Sequence, residues 1–154
     1  MGLAIAVETP LQDDVRGMVA ALNAYLLPLS PVEFQFKMTV EQMAGTETTL
    51  LVARDAAGHP IGMGALKLCG QDTGEVKRMF TVPAARGTGV GAAILQKLVE
   101  LARESRLTRL VLETGEAPGF EAAWRLYERG GFSRCSAVLD YPDSGWSRFY
   151  ELAL

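Results

Sequence analysis

The chain has 154 residues, of which 49% are hydrophobic and 21% charged, and this composition indicates a folded globular protein rather than a disordered or fibrous one. Its length fits one domain, residues 1–154, with a sizeable core. The net charge of −3 argues against a nucleic-acid-binding protein, and no apolar run approaches the roughly 18 residues of a membrane span.

The sequence offers few groups for metal or disulfide chemistry. The N-terminus lacks the basic start of a signal peptide, and the two cysteines, Cys69 and Cys135, lack CxxC spacing. The single histidine, His59, lies in a predicted turn. We therefore expect free thiols in a reducing cytoplasm, no metal site, and neither a nucleic-acid nor a membrane partner; a homodimer stays open.

Hydrophobic periodicity and turn residues divide the chain into strands and helices. The predicted elements are, in chain order, strand 3–7, helix 11–27, short helix 40–44, strands 48–54, 61–69 and 75–82, helix 89–105, strand 108–113, helix 120–129, and strands 132–139 and 146–152. This order, β-α-α-β-β-β-α-β-α-β-β, predicts an α/β (α+β) fold. Its sheet is mixed and mostly antiparallel, flanked by helices, with one parallel step across helix 89–105.

The segment Arg86 to Gly91, R-G-T-G-V-G, lies between a strand and the longest helix of the second half. Its glycines let backbone N–H groups approach an anion, and the helix start adds the positive end of its dipole. The segment fits both the dinucleotide pattern G-x-G-x-x-G/A and a pyrophosphate loop R-x-x-G-x-G. A dinucleotide fold is disfavoured because the preceding strand is charged and the roughly 40 residues after Glu113 cannot supply the remaining βα units.

Several motifs occur in a fixed order between residues 75 and 132. They are a strand ending in V-P, the segment A-A-R-G-T-G-V-G, a long helix, an L-x-L-E strand and the run A-x-x-x-Y-E-x-x-G-F. In these motifs the chain resembles the GNAT N-acetyltransferases, in particular a branch of small single-domain bacterial enzymes. The resemblance implies transfer of an acetyl group from acetyl-CoA, as co-substrate, to the amine of a small molecule or amino acid, by direct attack in a ternary complex.

The resemblance also implies which residues bind CoA. In the family, the strand before the glycine loop bulges and splays from its parallel neighbour, so that its backbone meets the pantetheine arm and the amide of Met79 polarises the thioester carbonyl. The loop N–H groups wrap the CoA pyrophosphate. The residues implied in cofactor binding are Met79, Phe80, Thr81, Arg86, Gly87, Thr88, Gly89, Val90 and Gly91.

Attack on the thioester needs a free amine, and an alkyl ammonium with a pKa of about 10 must first lose a proton. Two glutamates qualify, since family members carry a catalytic glutamate at one or the other position. Glu75 opens the loop-bearing strand, where period-2 spacing predicts its side chain on the same face as that of Met79. Glu113 ends the neighbouring strand, and both can act through one chain of water. Tyr127 is the implied proton donor to the leaving thiolate.

The acceptor side of the site is the least defined by the sequence. We expect it to be built from residues 25–36 and 140–146, with Tyr25, Tyr141 and Trp146 as candidate lining residues. Many relatives have asparagine where this chain has Phe120, so one pantetheine contact is lost or replaced. Two alternatives stay open: a non-catalytic CoA-binding sensor or regulatory protein, and a protein N-terminal or lysine acetyltransferase.

Overall fold

The computed structural model describes residues 2–154, in which strands and helices follow the predicted order. Short 3₁₀ segments at 27–29, 32–34 and 83–85 complete the connections. The elements are β1 (Ala4–Val7), α1 (Asp13–Leu26), α2 (Val40–Met43), β2 (Thr48–Arg54), β3 (Pro60–Leu68), β4 (Thr73–Thr81), α3 (Val90–Glu104), β5 (Arg109–Gly115), α4 (Glu121–Arg129), β6 (Ser133–Cys135) and β7 (Ser147–Ala153). Within this part of the chain, no helix is long and apolar enough to cross a membrane.

The strands of residues 2–154 form one seven-stranded sheet in the order β1-β2-β3-β4-β5-β7-β6. All neighbouring pairs are antiparallel except β4 and β5, which are parallel and are joined by α3. The predicted fold class is therefore confirmed, including its single parallel step across this helix.

The predicted strand 132–139 is wrong in extent, because β6 keeps only Ser133–Cys135. Leu139 has a φ of 53°, in the left-handed region, and cannot continue a strand. Val138 instead packs with Val111 and Phe149 against the face of the sheet. After this inward turn, Tyr141 packs against the same cluster.

The helices cover the two faces of the sheet, and one large cluster of buried apolar side chains lies under the helices on each face. Helix α1 places its apolar stripe on one face, with Val15, Met18, Val19 and Leu22 at helical spacing. Helices α3 and α4 cover the other face, where the largest cluster contains residues such as Ile94. Gly62 and Gly64 of β3 lie directly under α3, so that the helix approaches the sheet closely.

Candidate active site

Strands β4 and β5 separate after only three pairs, which run from Thr73 opposite Arg109 to Glu75 opposite Val111. Residues 76–81 of β4 therefore have no ladder partner on the β5 side. A register shift against β3, between Met63 and Ala65, marks a bulge at the same level, and Arg78 there has a φ of 58°. The separation leaves backbone N–H and C=O groups of β4 free to bind another molecule.

The bulge contradicts the expectation that the Glu75 and Met79 side chains share one face of β4. Met79 packs into the cluster under α3, whereas Phe80 joins the cluster under α1. Glu75 lies on the α1 side, since it and Lys77 alternate with Val76, which is buried under α3. The extra residue, Arg78, reverses the alternation, so that period-2 counting fails beyond it.

The glycine loop leads into the N-terminus of α3, the 15-residue helix Val90–Glu104. Gly87 and Gly89 have φ values of 78° and 88°, which residues other than glycine rarely adopt. Gly89 is the N-cap residue and no side chain caps the helix, so the N–H groups of the first turn are free. The hydroxyl of Thr88 donates to the carbonyl of Ala85 at 2.5 Å, which folds the loop on itself. The loop therefore presents free donors at the positive end of a helix dipole.

Arg86 connects this loop to β4 and to the end of α1. Its Nε donates to the carbonyl of Thr81 at 3.0 Å. Its guanidinium lies over the rings of Tyr25 and Phe80, at 5.6 and 5.8 Å from their centroids. The side chain thus spans the region between the loop and the sheet.

Two cavities open where β4 and β5 separate. The front cavity, of about 270 Å³, lies between the sheet and the segment that follows α1, and the loop cavity, of about 850 Å³, lies between the glycine loop, α3 and α4. Both cavities share a set of wall residues, which are Met79, Phe80, Thr81, Arg86, Ala122, Ala123 and Tyr127. Of the sequence-predicted cofactor residues, all but Thr88 line the loop cavity. The two cavities meet at the unpaired part of β4.

Tyr127 lies at this junction, on α4. Its side chain is only 7% exposed and packs against the rings of Phe132 and Tyr150. Burial raises the pKa of the Tyr127 phenol, with a smaller contribution from the charge of Glu113. The phenol therefore carries its proton at neutral pH.

Glu113 lines the front cavity near the end of β5. The hydroxyl of Ser147, on the neighbouring β7, donates to its Oε2 at 2.7 Å. Burial raises the pKa of the Glu113 carboxyl, while the Ser147 hydrogen bond and the charge of Lys77 partly offset this rise. A carboxyl group of this kind is a stronger base than a free glutamate when it is deprotonated.

Glu75, the other predicted glutamate, is 3% exposed and is not part of the cavity wall. Tyr141 donates a hydrogen bond to its Oε2, and Lys77 Nζ lies 3.4 Å from the same atom. Lys77 also contacts the Tyr141 hydroxyl at 2.7 Å. Glu75, Lys77 and Tyr141 therefore form one closed group, of which only Lys77 reaches the front cavity.

Several residues of the expected segment 25–36 line the front cavity, whereas of residues 140–146 only Trp146 does. Tyr25 and Trp146 line it, and the Tyr25 hydroxyl donates to the carbonyl of Gly119 at 2.7 Å, joining the end of α1 to the start of α4. Phe120 also lines the front cavity and packs against Gly115. Tyr141, the third aromatic candidate, is instead held by Glu75.

Sequence reasoning missed Arg78 and Ser147 as site residues. Arg78 lines the front cavity although it is only 8% exposed. The charged start of β4 was the available signal, since a strand with such charges is expected to line a cleft. Ser147 carried no comparable signal, because its contact with Glu113 depends on the pairing of β5 with β7.

Comparisons with known proteins agree with this architecture. A model of the Acetyltransferase (GNAT) family matches residues 18–132. The chain is 36% identical over 154 residues to the IAA acetyltransferase of Azospirillum brasilense, with 97% of each chain covered. It is 34% identical over 140 residues to the uncharacterized N-acetyltransferase YedL of Escherichia coli K12, covering 91% of this chain and 87% of that one.

Solved structures show the same fold. A Klebsiella pneumoniae protein, described provisionally as an acyl-CoA N-acyltransferase, superposes with a TM-score of 0.82 at 28% identity, covering 99% of this chain and 97% of that one. The PaiA N-acetyltransferase of Thermoplasma acidophilum, solved in complex with coenzyme A, shares the fold with a TM-score of 0.77 at 14% identity over the whole of both chains. The chain thus belongs to the GNAT acetyltransferase family and is an N-acetyltransferase, an enzyme that transfers an acyl group from an acyl-CoA to an amine.

Proposed function

We propose that the acyl donor is acetyl-CoA, that the acceptor is a small amine held in the front cavity, and that the amine attacks the thioester directly in a ternary complex. The observation that carries this proposal is the meeting of the two cavities at Met79, Thr81 and Tyr127. A donor in the loop cavity and an acceptor in the front cavity come into contact there without a covalent intermediate on the enzyme.

The loop cavity suits the CoA moiety. N–H groups of residues 86–91 and the free first turn of α3 bind the pyrophosphate, since they combine several donors with a helix dipole. The unpaired backbone of β4 binds the pantetheine arm as a further strand would, and the Met79 amide stabilises the oxyanion that develops on the thioester.

Glu113 is the better-placed base of the two glutamates. It lines the front cavity and its pKa is raised by burial, so it accepts a proton from the acceptor ammonium directly or through one water. Tyr141 and Lys77 both contact Glu75, which lies behind the cavity wall. This arrangement suits Glu75 to the role of positioning Lys77.

Tyr127 suits the role of proton donor to the departing CoA thiolate. Its phenol stays protonated at neutral pH, and it borders both cavities at the point where the C–S bond breaks. A free thiol has a pKa of about 8.5, so donation from a nearby phenol lowers the barrier to its departure.

The small volume of the front cavity favours a small acceptor over a protein chain. A volume of about 270 Å³ lies near the lower end of the roughly 300–1,000 Å³ that is usual for small-molecule sites. The hydrogen bond from Tyr25 to Gly119 closes one side of the cavity. A reducing cytoplasm fits the two free thiols, Cys69 and Cys135.

Binding and turnover can be tested separately. Acetyl-CoA and CoA should raise the melting temperature of the protein, whereas NADH should not. A thiol-release assay with a panel of small amines should then detect transfer. Stabilisation by NADH alone would contradict the proposed donor, and stabilisation by acetyl-CoA without transfer to any amine would favour a CoA-binding sensor.

Two variants test the assigned roles. Glu113→Gln keeps an acceptor for the Ser147 hydroxyl but cannot take a proton, so kcat/KM should fall by about a hundredfold to ten-thousandfold. Tyr127→Phe should lower kcat with a nearly unchanged Kd for acetyl-CoA. Glu75→Gln is the matched control for the base. Full activity of Glu113→Gln together with an inactive Glu75→Gln would assign the base to Glu75.

A further inference from the structure

Arg78 is a buried cation in the wall of the front cavity, and no residue of the described part of the chain, 2–154, forms an ion pair with it. Its side chain is 8% exposed, and its Nη2 donates to the amide oxygen of Asn23 on α1. Its Nε is buried without any hydrogen-bond partner. The guanidinium is therefore held in place by a neutral group, while part of its donor capacity stays unused.

Within residues 2–154, none of the other charged groups of the cavity wall forms an ion pair with Arg78; they are Lys37, Lys77, Arg86 and Glu113. Lys77 lies 3.4 Å from the carboxylate of Glu75, and Arg86 donates to the carbonyl of Thr81. Glu113, the carboxylate of the wall, accepts from Ser147, and the charges that affect its pKa are those of Lys77 and Glu75. Burial alone lowers the pKa of Arg78 to about 10, so the side chain remains a cation at neutral pH.

A buried charge without a counter-ion is costly, and here it is combined with a strained backbone. Arg78 occupies the left-handed region, with a φ of 58°, at the bulge of β4. Strain of this kind, held by the surrounding structure, is typical of ligand sites. Within the part of the chain that the structure describes, the missing counter-charge is not supplied by the protein, so a bound ligand is the natural source.

We propose that the acceptor amine carries a carboxylate, which pairs with Arg78 while its amine faces Glu113 and Tyr127. This inference rests on the proposed function and specifies its substrate class: a small amino carboxylate. The buried guanidinium of Arg78 carries one positive charge, which matches a monoanion, and its N–H groups bind a carboxylate with charge-assisted hydrogen bonds. Leu22, Leu26, Phe34 and Phe36 also line the wall, and they offer apolar contacts to the body of the acceptor.

The experiment compares acceptors that differ only in the carboxylate. L-phenylalanine, L-methionine and L-leucine are each assayed beside their C-terminal amides, by thiol release from acetyl-CoA. For the best pair, wild-type protein should favour the acid by about tenfold to a hundredfold in kcat/KM, as expected for a hydrogen-bonded charge pair. Arg78→Gln should reduce this preference to about twofold, because the rate with the acid should fall much further than the rate with the amide.

Controls separate charge recognition from a structural role. Lys37→Gln removes another positive charge from the same cavity wall and should keep most of the preference for the acid. Arg78→Lys keeps the charge without the planar fork, and should recover part of the preference. Equal losses with the acid and the amide in Arg78→Gln would overturn the inference, as would a wild-type enzyme that is indifferent to the carboxylate.

Direct binding distinguishes a failure of this inference from a failure of the proposed function. Trp146 lines the front cavity, so its fluorescence reports acceptor binding to the CoA-loaded protein. If the acids bind more tightly than the amides but none is acetylated, transfer to these acceptors fails and carboxylate recognition stands. If no acid binds more tightly than its amide, the assignment of Arg78 is wrong.

Discussion

Gly64 of β3 faces the bulge of β4, and replacing it with alanine should disturb both stability and the acyl site. A Cβ atom at this position would lie 2.5 Å from Met79 Sδ, 2.8 Å from Ile94 Cγ2 and 3.1 Å from Leu98 Cδ1. The Met79 thioether can rotate away, but Ile94 is β-branched and fully buried in α3. The added methyl group therefore forces α3 away from β3.

Overpacking of this kind costs about 1–3 kcal/mol of unfolding free energy. For a chain of this length, each kcal/mol lowers the melting temperature by about 2–4 °C, so Gly64→Ala should melt roughly 2–12 °C below the wild type. Because Met79 belongs to the wall shared by the two cavities, kcat should fall as well.

Gly17→Ala is the matched control. Gly17 lies in α1, and a Cβ atom there would meet nothing within 4 Å. Alanine in a helix is favoured over glycine, so this variant should be more stable by about 0.5–1 kcal/mol and fully active. Calorimetry and the thiol-release assay measure both effects. A Gly64→Ala protein as stable as the wild type would refute the close packing of α3 on β3.

Two further predictions concern the base and the glycine loop. Burial raises the pKa of Glu113 above the usual 4.5, so this group stabilises the folded protein most at pH values below 4.5, and that stability is lost as the pH rises through the raised pKa. The melting temperature of Glu113→Gln minus that of the wild type should therefore be larger at about pH 8 than at about pH 4. An identical difference at both pH values would contradict a buried carboxyl. Gly89→Ala places a side chain at a φ of 88° and should weaken CoA binding, as measured by calorimetric titration. The control is Gly58→Ala, at a φ of 85° in the β2–β3 turn, which carries the same backbone cost and should bind CoA normally.

The sequence by itself determined the order of the elements and the place of the glycine loop. Both depend on short-range chemistry: apolar side chains repeat with the period of a helix or a strand, and glycines mark positions that need a positive φ, as Gly87 and Gly89 do. The parallel step followed as well, because a helix between two strands carries the chain back to the same end of the sheet.

Only the tertiary structure decided which charged groups face the acceptor. The bulge at Arg78 reversed the alternation along β4, so counting residues from Glu75 gave the wrong face for Met79. The contacts that define the site join residues far apart in the chain, with Arg78 bound by Asn23 and Glu113 bound by Ser147. Such pairs depend on how strands and helices pack together, which no local pattern encodes, and they are what leaves one buried cation in the cavity without a partner.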